Sequence, residues 1–381
     1  MSRLDELIAE LCPDGVEFVE LNEVLDYEQP TKYIVKSTNY DDSYTIPVLT
    51  AGQSFVLGYT NEDFGIYKAS PDSPVIIFDD FTTSFHWVDF NFKVKSSAMK
   101  MLRSKDNEIA NLRFLFHLMK NINYIPVDHS RQWIGKYSKF RIPLPPLAVQ
   151  QEIVRILDNF TELTAELTAE LTARKKQYEY YRDLLLTFEG NPEVKWMALG
   201  EVCDLFAGGD IPKDRYSKEK TDKYTIPIYS NGIGDKALYG YTDIAKISTL
   251  SVTISARGTI GYSILHKEPY YPIIRLICAI PKNIITAEYL YYAVQILKFK
   301  APTSGIPQLT VPMVAKYKIP VPPLEEQERI VAILNRFDAL CNDLTSGLPA
   351  EIEARKKQYE YYRDKLLSFK PLPSKDEEGT A

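Results

Sequence analysis

The string ARKKQYEYYRD occupies Ala173 to Asp183 and returns, letter for letter, from Ala354 to Asp364. It is not alone. KFRIPLPPLAVQQEIVRILDNF (Lys139 to Phe160) matches KYKIPVPPLEEQERIVAILNRF (Lys316 to Phe337) at an offset of 177, against 181 for the first pair. Fainter echoes link YTIPVLTAG (Tyr44 to Gly52) with YTIPIYSNG (Tyr224 to Gly232), and VEFVELNEV (Val16 to Val24) with VKWMALGEV (Val194 to Val202). A period near 180 in a chain of 381 residues is too long for a solenoid and specifies a duplicated domain pair.

Each copy reads as a globular part followed by a long helix. The globular parts carry short β-type runs (SPVIIFDD, FNFKVK, LSVTIS, YSILHK) punctuated by Gly and Pro, with helical patches near NLRFLFHLMKNI and AEYLYYAVQILKF. Both end on a proline pair, Pro145–Pro146 and Pro322–Pro323, which can start a helix but not lie inside one. From Leu147 to Phe188 there is no Pro or Gly, so about 40 residues can run as one rod on the order of 60 Å long.

Leu157, Phe160, Leu163, Leu167, Leu171, Tyr178 and Tyr181 recur there at three- and four-residue steps and predict one buried stripe. Leu334, Phe337, Leu344, Tyr359 and Tyr362 repeat the rhythm in the second copy, where Gly347 and Pro349 predict a kink. The expected fold is α+β: two similar β-rich α/β domains joined by two long antiparallel helices, with internal pseudo-twofold symmetry. The expected boundaries are a first domain at 1–147 with a short helix at 3–11, a first spacer helix at 148–190, a second domain at 191–324, a second spacer helix at 325–370 kinked near 347–349, and a flexible acidic tail at 371–381. The short helix aligns with Leu184 to Asn191 and is expected beside the end of the second spacer helix.

Composition sets the class. At 45% hydrophobic the chain can fill two or more cores, and no apolar stretch approaches the roughly 18 residues of a membrane span. The charged start MSRLDELIAELCPDG lacks a secretion signal's apolar core, so a cytoplasmic location is expected. The four cysteines (Cys12, Cys203, Cys278, Cys341) lie far apart and are expected as reduced, mostly buried thiols. A net charge of −6 is not the footprint of a nucleic-acid binder, yet it hides an asymmetry. Residues 1–147 hold 15 Lys and Arg against 20 Asp and Glu, whereas residues 191–324 hold 16 against 11. DNA responds to the local patch, so the sum decides little.

Two diverged ends on a preserved helical spacer suit a reader of two unlike DNA half-sites at fixed spacing, or a coiled-coil adaptor with two protein-binding ends. The run TELTAELTAELTARKK bears on this. Each four-residue unit adds about 6 Å of helix and about 40° beyond a full turn, so copy number would set a spacing.

These residues resemble the specificity (S) subunit of bacterial Type I restriction-modification systems over nearly the whole chain. The two IP[LV]PPL…Q..IV.IL..F strings, the TAEL units, the paired RKKQYEYYRD strings, SARGTIG (Ser255 to Gly261) and SGIPQLT (Ser304 to Thr310) carry the likeness. The resemblance implies two target-recognition domains that each read half of a split site in double-stranded DNA, and helices that space them and dock two methyltransferase (M) subunits. It further implies motor and nuclease (R) subunits joining the complex. The chain itself would be non-catalytic, and S-adenosylmethionine would bind the M subunits, leaving no cofactor here. The alternative is an adaptor or orphan S-like scaffold that touches no DNA.

The inventory agrees with that implication. No [DNS]PP[YFW] motif and no GxxxxGK[ST] phosphate loop is present. Phe78-Asp79-Asp80 ends a strand-like run without a following ExK and reads as structural, and His86, His117, His129 and His266 lack metal spacing. For DNA contact, Arg and Lys suit guanine, Gln suits adenine, and Lys, Ser and Thr suit phosphate. The candidates are Lys32, Lys93, Lys95, Lys100, Arg131 and Gln132 in the first domain, and Lys213, Arg257, Thr259, Ser304 and Gln308 in the second. Equal M subunits need equal surfaces. Arg174, Lys175, Lys176 and Arg182, with Arg355, Lys356, Lys357 and Arg363, are the expected docking residues.

Overall fold

The computed structural model describes residues 2–52, 54–188, 191, 193–302, 305–343 and 345–373. The chain divides into two compact units, residues 1–166 with 352–381, and residues 167–351. The division falls inside the helices rather than at the domain–helix junctions expected at 147–148 and 324–325. Each half of a helix packs into the core of a different β-rich body, and the core decides the unit.

In the first unit, Ser2 caps α1 (Arg3–Leu11) through a reciprocal box with Asp5. The chain then runs through β1 (Glu17–Glu20), the one-turn α2 (Leu21–Val24), β2 (Leu25–Glu28), β3 (Ile46–Leu49), β4 (Val56–Thr60), β5 (Val75–Asp79), β6 (Phe85–Val88), β7 (Lys93–Val94) and β8 (Met99–Ser104). There follow α3 (Leu112–Asn121), β9 (Arg141–Leu144) and α4 (Leu147–Leu186). Strands β2-β8-β5-β6 form an antiparallel sheet, β4-β3-β7 a second, and β1-β9 a pair. Strand β5 explains why its sequence is continuously apolar. Ile76 and Phe78 face one core, shared with α3 and the framework helices, while Val75 and Ile77 face another, under the second sheet. Leu4 of α1 shares the first core with Leu367, and Asp5 senses the charge of Lys365, so α1 lies where the repeat predicts.

The second unit repeats the plan. It holds β10 (Lys195–Ala198), the one-turn α5 (Leu199–Val202), β11 (Cys203–Ala207), β12 (Tyr216–Ser217), β13 (Ile226–Tyr229), β14 (Leu238–Thr242), β15 (Ser251–Ser255), β16 (Ser263–His266), β17 (Tyr271–Pro272) and β18 (Leu276–Pro281). After them come α6 (Ala287–Gln295), the one-turn α7 (Val311–Val314), β19 (Lys318–Val321), α8 (Leu324–Asn342) and α9 (Leu348–Leu366). The order β11-β18-β15-β16 matches β2-β8-β5-β6, and β12-β14-β13-β17 matches β4-β3-β7 with one edge strand added. Even the irregularities recur: a register shift at Val48/Leu49 returns at Ile228/Tyr229.

The framework repeats atom for atom. Gln150 is fully buried; its amide donates to the carbonyls of Ile109 (2.8 Å) and Pro145 (2.7 Å), and its oxygen accepts from Asn111 N–H (2.8 Å). Gln327 does the same with Ile284 (3.0 Å), Pro322 (2.9 Å) and Thr286 (2.9 Å). Each glutamine thereby latches the diproline corner to the start of the preceding domain helix, where Asn111 and Thr286 are N-caps. Phe160 stacks on Tyr362 at 5.4 Å in the first unit, and the corresponding Tyr181 on Phe337 at 5.7 Å in the second. In the second unit Tyr181 meets Phe337 and Tyr178 lies near Cys341, so the end of α4 runs antiparallel to α8.

The second helical segment is broken rather than kinked. Helix α8 ends at Asn342, the Asp343 carboxylate accepts from Thr345 N–H (2.7 Å), and α9 starts at Leu348 with Pro349 in its first turn, where its missing N–H is harmless. A side chain at Gly347 would meet the Ala339 carbonyl at 2.5 Å, so the break requires glycine. At the start of the segment expected as a flexible tail, Leu372 N–H donates to the Val16 carbonyl and the Lys370 carbonyl accepts from Val16 N–H, so 371–372 are held in place; 374–381 lie outside the described residues. The four cysteines are free and buried.

Candidate nucleic-acid interface

In both units the central strand leads into a turn that a later loop fastens. Gln132 N–H donates to the Asp80 carbonyl at 2.8 Å, and Leu309 N–H donates to the Ala256 carbonyl at 2.8 Å. One geometry thus gathers two loops in each unit, and their side chains differ.

In the first unit this overturns three candidates. Lys100 is buried and lies 3.1 Å from the Asp80 carboxylate and 4.8 Å from the Tyr27 ring centre, facing the core because β8 is covered on both faces. Lys93 is buried too, 2.8 Å from Glu62 and donating to the Phe64 carbonyl at 2.7 Å. Burial pushes the Glu62 carboxyl up, but Lys93 and the N–H groups of Ser37 and Lys36 outweigh it and hold it below its ordinary value. Gln132 is fully buried; it accepts from Tyr124 Oη (2.7 Å) and donates to the Ser130 carbonyl (2.7 Å), so it shapes its loop. None of the three is available to a base. Asp80 accepts from Trp133 N–H at 2.8 Å and Asp79 from Phe81 and Thr82 N–H, so this pair is structural as expected. Lys32, Lys95 and Arg131 are exposed: Lys32 pairs with Glu28 (2.7 Å), Lys95 approaches Tyr40 Oη (3.4 Å) and Arg131 approaches Asp80 (3.5 Å).

In the second unit the candidates converge. Arg257 and Gln308, from SARGTIG and SGIPQLT, form an isolated antiparallel bridge. Gln308 is exposed and Arg257 half-buried. Asn231 Nδ2 donates to the Arg257 carbonyl at 2.6 Å, and Thr259 Oγ1 donates to the Asn231 carbonyl. The Thr259 hydroxyl is therefore spent within the protein instead of on a phosphate. Lys213 is exposed, and Ser304 lies outside the described residues. Glu62 and Asn231 escaped the sequence reading, and Asp80, read as structural, was not matched to its partner Lys100. The SNG of YTIPIYSNG, aligned with TAG of YTIPVLTAG, was the available sign for Asn231.

On the repeated string, Lys175, Lys176, Lys356 and Lys357 are exposed. The arginines, expected as free docking residues, are instead engaged within the chain. Arg174 bonds Gln177 (2.9 Å) and Arg355 bonds Gln358 (3.0 Å), while Arg182 and Arg363 each hold the next aspartate at 2.7 Å. Among the stripe residues, Leu157, Tyr178 and Leu334 are buried, Leu163, Leu167, Leu171, Phe160, Phe337, Tyr359 and Tyr362 half-buried, and Leu344 lies outside the described residues; Tyr181, expected in the buried stripe, is exposed, because only one face of its ring is covered, by Phe337.

Fold and site together define a tandem recognition protein, one β-rich unit written twice on a repeated helical framework. The family model for the Type I restriction modification DNA specificity domain matches twice, at residues 13–174 and 191–354. The chain belongs to that family. It is 44% identical to the EcoR124I/EcoR124II specificity subunit of Escherichia coli, covering 98% of each chain, and 34% identical to a putative Type I specificity subunit of Haemophilus influenzae, covering 93% of this chain and 96% of that one. Its fold is that of a Type I S subunit from M. genitalium (TM-score 0.64, 16% identity, covering 93% of this chain and 96% of that one). No helix among the described residues is long and apolar enough to cross a membrane.

Proposed function

We propose that this chain is the sequence-reading subunit of a Type I restriction-modification complex, in which its two units take the two unlike halves of a split double-stranded DNA site. Two M subunits dock on the repeated helical segments, and R subunits join through the assembly. The chain contributes no chemistry and no cofactor; S-adenosylmethionine belongs to the M subunits.

One observation carries this reading. The Gln150 and Gln327 latches and the paired aromatic stacks repeat to within a few tenths of an ångström, while the residues at the fastened turns are unlike, with Arg131 beside Asp80 in one unit and Arg257 beside Gln308 in the other. A preserved frame with changed edges is the design of a reader of two different sequences.

The test is expression with its M subunits in cells lacking other adenine methylation, followed by genome-wide mapping of methylated adenines. A motif of two unlike half-sites separated by unspecified bases is expected. Assembly with M subunits but no sequence-dependent methylation would leave an adaptor and defeat the proposal.

A further inference from the structure

Most polar side chains at the fastened turns are already occupied. Asp80, Lys100 and Gln132 serve the interior of the first unit, and Thr259 serves Asn231 in the second. Two are not. Among the described residues neither the Arg257 guanidinium nor the Gln308 amide has a hydrogen-bond or ion-pair partner, although their backbones form a bridge. Directly opposed residues on an antiparallel bridge project to the same face with Cβ atoms about 4.5–5.5 Å apart. That separation is close to the roughly 3.4 Å step between stacked bases.

Their backbone is held from both sides. Asn231 grips the Arg257 carbonyl at 2.6 Å and takes the Thr259 hydroxyl, while Leu309 N–H holds Ala256 at 2.8 Å. Gly258, at φ +77°, completes the turn, and a Cβ there would press on Asn231 Nδ2 at 3.1 Å. A phosphate contact by a long cation needs no such clamp. Bidentate reading of a base edge does, because it fixes two donor–acceptor distances at once.

We infer that Arg257 and Gln308 form a two-residue reading edge that takes adjacent base pairs of one half-site, guanine O6/N7 by Arg257 and adenine N6/N7 by Gln308, with Asn231 as the positioning residue that holds the edge. This rests on the DNA-reading function proposed above. It adds which residues read, which bases they read, and that the two positions are neighbours.

The experiment uses the assembled complex with its M subunits, mapped methylation sites and a panel of duplexes changed one base at a time. Arg257→Ala and Arg257→Lys should each relax one G·C position, with discrimination there falling roughly 5- to 150-fold. Gln308→Ala should relax the adjoining A·T position. Asn231→Ala and Thr259→Val should blunt both positions together, and Thr259→Ser should restore them. The other half-site should stay as read, which also reports that each variant is folded and assembled. Relaxed positions that are not adjacent, that fall in both half-sites, or an Arg257→Lys complex with its guanine preference intact would overturn the inference. A wild-type complex that methylates no split site would instead sink the DNA-reading function itself, a separate result.

Discussion

The two units bury different chemistry at the same points of one fold. Phe78 faces Lys100 across the first sheet where Ile254 faces Ile277 across the second, and Asp80 N–H bonds Ala98 as Ala256 N–H bonds Arg275. The Asp80–Lys100 ion pair therefore corresponds to Ala256 and Ile277. Glu62 and Lys93 correspond in the same way to Ile244 and Tyr271, since Val48 pairs with Lys93 as Ile228 pairs with Tyr271. A third substitution sits on the framework: His117 meets Asp158 at 2.9 Å where Tyr292 donates to Asn335 at 2.6 Å. The fold does not need charge at these places. Buried pairs lose hydration that their attraction only partly restores, so a uniform scaffold would have no reason to keep them in one copy.

The comparison can be broken in order of expected effect. Lys100→Ala leaves Asp80 charged and buried and should cost about 3–5 kcal/mol in urea unfolding of the first unit, whereas the pair Asp80→Ala with Lys100→Ile, which copies the second unit, should recover most of it. An equal loss in both variants would mean the two sites are not equivalent.

Acid should then separate the units. His266 is buried against Tyr270 (3.8 Å between ring centres) and shares a hydrogen bond with Thr253; burial lowers its pKa to about 4. A group depressed on folding stabilises the protein above its unfolded pKa, near 6.5, and that contribution is lost as pH falls toward 4, a loss on the order of 3 kcal/mol. Burial also lowers His117, but Asp158 beside it acts in the opposite direction. The second unit should therefore melt first as pH drops from 6.5 to 4, and His266→Leu should flatten that limb in a pH series of thermal melts.

Next, Gln150→Ala and Gln327→Ala should each cost roughly 1–3 kcal/mol by orphaning buried backbone groups, and by similar amounts because the latches match. The smallest effect on either core should come from deleting Ala165–Thr168, one four-residue unit of α4. Methylome mapping should then show a changed number of unspecified bases and both half-sites intact.

The framework was legible, and Arg257 and Gln308 were among the candidates, but the clamp that holds their backbone was not, for a physical reason. Periodicity, diprolines and the repeated strings report local propensity, and they located the helices, most of the stripe and the closure of α1 onto the second helical segment. Period-two logic failed at Lys93. Between buried Phe92 and Val94 it should face solvent, but β7 pairs in parallel beside β3 and Glu62, some thirty residues earlier, covers the remaining side. Lys100 failed alike, because its partner Asp80 lies some twenty residues earlier, in the turn just after β5. Asn231 was invisible because its role depends on a carbonyl brought near by folding.

The glutamine latches touch only main-chain atoms: carbonyls of Ile109, Pro145, Ile284 and Pro322, and amides of Asn111 and Thr286. Such a fastening is blind to the side chains of the body it secures. A gene fragment exchanged between the two repeated strings would arrive with its own buckle, so new pairings of bodies need no re-engineering of the joint.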